Sequence, residues 1–85
     1  MECLAKAVIQ ALMFFELVDD NVLDPDTALK NAESLIAELE DCSNEEKSEL
    51  LRTCKEMAIK EKGGLNREDV VQFLERFDES YFPNY

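Results

Sequence analysis

Apolar residues return at every third or fourth position along almost all of this chain, and the breaks in that rhythm carry the marks of helix starts and stops. From Glu2 to Val18, the residues Leu4, Ala7, Val8, Ala11, Leu12, Phe15 and Val18 line one helical face. Ile9, Met13 and Leu17 are interleaved on the other side with Lys6, Gln10 and Glu16. The first helix is therefore apolar nearly all round, as suits an element contacted from several sides. Asp19-Asp20-Asn21 interrupts it, because short polar side chains compete for backbone hydrogen bonds. Asp24 then caps a second helix and Pro25 takes its first position, where no amide partner is needed.

That second helix spans about 25–40 on Ala28, Leu29, Ala32, Leu35, Ile36 and Leu39, with Leu35 and Ile36 as its anchors. Ser43 and Glu46 have the spacing of a capping box, which opens a third helix over 44–62 with Leu50, Leu51, Cys54, Met57 and Ala58 inward. Gly63-Gly64 is expected to end it by entering the left-handed conformation. Asn66 is the expected cap of a fourth helix, 67–78, with Leu65 and Val70 as a hydrophobic staple and Val70, Val71, Phe73, Leu74 and Phe77 buried. An aromatic tail, 79–85, folds back, and Pro83 forbids further helix.

Two glycines and two prolines in 85 residues are too few for the turns of a small all-β domain. The pattern predicts an all-α protein, a small antiparallel four-helix bundle in a single domain over 1–85, since short connections make successive helices neighbours. Phe15 and Leu35 are expected in its core, each costing about 2–5 kcal/mol when cut to alanine.

The same residues narrow the function. Acids interrupt the apolar start of the chain, which lacks both a signal-peptide layout and the roughly 20 apolar residues of a membrane span. Cys3, Cys42 and Cys54 form an odd set without C-x-x-C spacing, so a reduced, cytoplasmic setting with no membrane is expected. The chain has no histidine, which removes the usual general base near neutral pH and the commonest zinc ligand. Gly63-Gly64 alone makes no phosphate cradle. The cluster Asp19, Asp20, Asn21, Asp24 and Asp26 fails as a calcium loop, because Lys30 stands where the bidentate glutamate belongs. No catalytic residue, metal or cofactor is assigned, and the chain reads as a non-enzyme.

Twenty acids against nine bases leave a net charge of -11, which excludes a phosphate-binding basic face and nucleic acid as partner, and points to a basic protein. The acids crowd into a belt around the second loop, Glu38, Glu40, Asp41, Glu45, Glu46 and Glu49, with Lys47 as the one opposing charge among them. Asp78, Glu79, Tyr81, Phe82 and Tyr85 add rings and carboxylates in the tail, the composition of a protein-binding patch. Ile9, Met13 and Leu17 offer an exposed seam for the alternative, a homodimeric structural or adaptor protein.

The segment Asp78-Glu79-Ser80-Tyr81-Phe82-Pro83 resembles the D-x-x-Y-Y-P segment of the nuclease-colicin immunity proteins, which are small, acidic and four-helical. Phe82 replaces the second tyrosine, and the segment stands at the end of the sequence where the family's lies between helices. The resemblance implies an immunity protein that blocks a basic secreted bacterial toxin. Tyr81 and Phe82 would be its ring anchors, and Asp78 and Glu79 would meet cationic side chains near the toxin's active site.

Overall fold

In the computed structural model, which describes residues 2–84, the chain forms five helices and no strand among the described residues. They are α1 (Glu2–Leu17), α2 (Pro25–Glu40), α3 (Asn44–Gly63), α4 (Glu68–Glu75) and α5 (Phe77–Tyr81). The first three match the sequence pattern to within a residue or so. Asp24 caps α2 by accepting from the Thr27 amide at 3.1 Å. The Ser43–Glu46 capping box is closed in both directions, at 2.9 and 3.1 Å.

The expected fourth helix is two. At Arg76 the backbone leaves helical geometry (φ -101°, ψ 5°), and α5 follows as a separate helix through residues assigned by sequence to helix end and tail. Phe77 and Phe82 both face inward, with ring centroids 6.1 Å apart, and Phe73 stands edge-on to Phe77 while Tyr81 is tilted against it at 4.7 Å. Edge-to-face packing of this kind stabilises beyond the area it buries.

The heaviest packing is of α3 on α4, and of α1 on both α3 and α2, so α1 and α3 form the middle of the molecule. One apolar cluster draws on all five helices. The enclosed residues of α1 are Ala5, Ile9 and Leu12; of the face expected inward, Leu12 is buried and Val8, Ala11, Phe15 and Val18 are half-buried, while Leu4 and Ala7 are exposed. Ile9 is fully enclosed and Met13 is half-buried, which corrects the expected dimer seam: of its three residues only Leu17 is exposed. The reason is that a helix apolar on every side carries no instruction about which side turns inward. The small residues Ala28 and Ala32 of α2 and the Leu50–Cys54–Ala58 line of α3 make that choice by admitting close approach. Phe15, Leu35 and Ile36 pack against the core without being enclosed by it.

The α3–α4 turn also differs from expectation. No glycine has a positive φ; Asn66 takes the left-handed conformation instead (φ 52°), and its N–H donates to the Glu61 carbonyl at 2.7 Å. Asn66 thus finishes α3 and does not cap α4, whose N-cap residue Arg67 supplies no side-chain cap, while the Val70 amide donates to Asp69 at 2.9 Å. Leu65 is 77% exposed, so no staple to Val70 forms. The turn is held by charge. Glu61 accepts from the Arg67 backbone amide at 2.9 Å and from its guanidinium at 2.9 and 3.0 Å. A second link, Lys62 Nζ to Glu75 at 2.5 Å, crosses from α3 to α4.

Two measurements follow. Ile9→Ala is expected to lower stability by about 3 kcal/mol in urea unfolding, where a surface position would change it by less than ~0.5 kcal/mol. Leu35→Ala should cost less than Ile9→Ala. The Arg67 side chain and amide hold the Glu61 carboxyl down at about 2, against an ordinary 4.5. A depressed carboxyl stabilises the fold above its unfolded value and loses that contribution as pH falls through the folded one. The stability gap between wild type and Glu61→Gln should therefore be constant above pH 5 and close between about 4.5 and 2.

Candidate functional site

At the α2–α3 turn, Leu39 is buried as the last apolar anchor of α2, which leaves Glu38, Glu40 and Asp41 exposed around it. These three carboxylates sit at the negative end of the α2 dipole, and the last turn of that helix contains no basic residue. Each acid so placed costs about 0.3–1 kcal/mol in an exposed setting. Glu45 and Glu46 lie at the positive end of α3, where acids are favourable. Among the described residues, Glu38, Glu40, Asp41 and Glu45 enter no ion pair.

The belt is thus narrower than the sequence suggests. Glu46 is engaged in the capping box. Glu49 is bound by Arg52, which also reaches Glu56 at 3.1 Å, and the guanidinium lowers the Glu49 carboxyl's pKa. Glu38, Asp41 and Glu46 surround Cys42, whose thiol is pushed up first by burial and then by those charges, with Lys47 opposing. Burial drives the Cys54 thiol up to about 12. Neither sulfur is poised as a thiolate nucleophile.

The structure joins the belt to the C-terminal segment. Glu40, Asn44, Lys47, Tyr81, Phe82, Pro83 and Asn84 line one shallow depression of about 350 Å³. Both described rings of the expected tail are secured here. Phe82 is buried against Phe77, with Lys47 Nζ 5.4 Å from its ring centre, a cation–π contact. Tyr81 is half-buried and donates its hydroxyl to Glu16 at 3.1 Å, tying α5 to the end of α1. Burial and the Glu16 charge both raise the Tyr81 phenol. Phe82 is therefore a fold anchor with little surface to offer, a correction to its expected place among the partner-binding rings.

Asp78 lies apart from this depression. It borders a groove of about 420 Å³ between α3 and the α4–α5 pair, with Leu51, Cys54, Ile59 and Leu74, and its own carboxylate accepts from the Glu79 amide. Glu79 is exposed, and Tyr85 lies outside the described residues. The contacts of Glu16 with Tyr81 and of Lys47 with Phe82 had no trace in the sequence pattern, because both join residues far apart along the chain.

Phe82→Ala should destabilise the fold by about 3 kcal/mol in urea unfolding, as removal of a buried ring does. A free tail ring would leave the midpoint unchanged.

Comparison with known protein families, with characterised proteins and with solved structures gave no significant match.

Proposed function

We propose that the protein is an acidic binding module that neutralises a basic protein partner, in its most specific form an immunity protein that blocks a secreted bacterial toxin. The observation that carries this reading is the placement of Glu38, Glu40 and Asp41. All three are exposed at the unfavourable end of a helix dipole, without an ion pair among the described residues. Local stability disfavours that arrangement, whereas a cationic surface docked on it gains from every one of the three charges.

Glu40 carries the acidic surface up to the depression that Tyr81, Pro83 and Asn84 help to line, so partner side chains would meet carboxylates first and a ring edge next. The resemblance of the Asp78–Pro83 segment to the immunity proteins supports the toxin-directed form, with Tyr81 as the accessible ring. Short connections at 18–24, 41–43 and 64–67, with α1 against α2 and α3 against α4, support an antiparallel bundle as the scaffold. Three free cysteines support a reducing, cytoplasmic setting. No helix among the described residues is long and apolar enough to cross a membrane.

The test is to express the products of the genes flanking this coding sequence and measure their association with the protein at rising ionic strength. The expected result is a basic partner whose association rate falls at least about tenfold from low to physiological salt. The triple change Glu38→Lys, Glu40→Lys and Asp41→Lys should slow it similarly in low salt, with no loss of fold, because lysines suit a helix C-terminus. A rate indifferent to salt and to these substitutions removes the reading.

A further inference from the structure

The groove between α3 and the α4–α5 pair is floored by Leu51, Cys54, Ala58 and Leu74. Ile59 stands at its edge with 72% of its surface exposed. One patch therefore holds both an apolar hole and, beside it, an apolar knob. A surface that binds its own copy about a twofold axis must be complementary to itself, and a knob next to a hole meets that condition in shape.

The charges meet it as well, because the two walls of the groove differ in sign. α3 contributes Lys55 and Lys62, and α4–α5 contributes Glu75 and Asp78. In a chain of net charge -11, the lining of this groove is balanced. Lys62 and Glu75 are paired at 2.5 Å across one end. Lys55 lies two turns back along α3, about 10 Å away. Asp78 comes close enough to the neighbouring Cys54 for its charge to act on that thiol, so Lys55 and Asp78 border the other end from opposite walls. Neither enters an ion pair among the described residues; the Asp78 carboxylate accepts only from the Glu79 amide.

A uniformly acidic or uniformly basic partner would be repelled by one wall. A second copy brings both signs at the matching separation. Two twofold arrangements are open to it. An axis across the groove would lay α3 on α3 and set bases on bases and acids on acids. An axis along the groove lays α3 of each copy on the α4–α5 wall of the other, which brings Lys55 to Asp78 twice and seats each Ile59 over the facing floor.

We propose that this groove is a self-association surface, on which a second copy of the chain packs about a twofold axis running along the groove. The surface lies apart from the acidic α2–α3 turn and does not depend on the partner reading given above.

Sedimentation of the purified chain from micromolar to hundreds of micromolar tests it. The expected result is a monomer–dimer equilibrium whose dissociation constant rises at least about tenfold in Ile59→Glu, and likewise in Lys55→Asp and in Asp78→Lys taken singly. All three side chains are exposed in the single chain, so the helical circular dichroism should persist. An equal mixture of the Lys55→Asp and Asp78→Lys chains should associate about as tightly as wild type, since every contact of the mixed dimer again joins a base to an acid. A mixture no tighter than its separate components overturns the arrangement. A wild-type chain that stays monomeric throughout the range, or a dimer indifferent to Ile59→Glu, overturns the surface itself.

Discussion

The enclosure of Ile9 and Leu12 is the contact on which the rest of this structure depends. A chain of this size has room for only one well-packed centre, and here α1 supplies its middle while α2 and α3 close on it from two sides. Small side chains make that closure possible. Ala5, Ala28, Ala32 and Ala58 let helix backbones approach, and the larger side chains fill what remains. The end of α5 serves the same purpose from the other terminus: Phe82 leaves helical geometry (φ -131°, ψ 56°) and is buried in the cluster together with Phe77.

Charge works against this packing. The apolar contacts and the three cross-links at the α3–α4 side and the C-terminal segment, Glu61–Arg67, Lys62–Glu75 and Tyr81–Glu16, hold together a molecule whose remaining acids repel one another. Arg52 pairs within α3 with Glu49 and Glu56, and Lys62 and Arg67 make two of these links, while Glu38, Glu40, Asp41 and Glu45 at the α2–α3 turn enter no ion pair among the described residues. A fold selected for stability alone would put lysine or arginine in the last turn of α2.

How much of this was readable in advance follows from the range of each interaction. Helix limits were legible because they are set locally: Asp24-Pro25 and Ser43-x-x-Glu46 satisfy their own backbone amides within four residues. The inner faces of α3 and α4 were legible because polar residues mark their outer sides. The inner face of α1 was legible only in part: Leu12 was placed inward, but Ile9 and Leu4 are equally apolar and only the neighbouring helices distinguish them. The acidic turn was visible as composition, but its reduction to four unpaired carboxylates required knowing that Arg52 reaches Glu49. The tail was legible only as a segment that folds back, for a similar reason. Nothing local tells Phe82 to insert beside Phe77, and the depression shared with Glu40 exists only once it does.

The turn after α3 has a consequence for how this sequence can drift. Its geometry rests on the left-handed residue at 66 and on the clamp between 61 and 67, while a methyl group at 63 would meet nothing within 4 Å. Among descendants of this chain, glycine at 63 should be freely replaced. Position 66 should stay asparagine or become glycine, and the acid at 61 and the base at 67 should be kept or lost as a pair. The two adjacent glycines, the most conspicuous letters in that stretch, differ in this respect: a Cβ at 64 would lie 3.3 Å from the Lys60 carbonyl oxygen, so only the first is free to change.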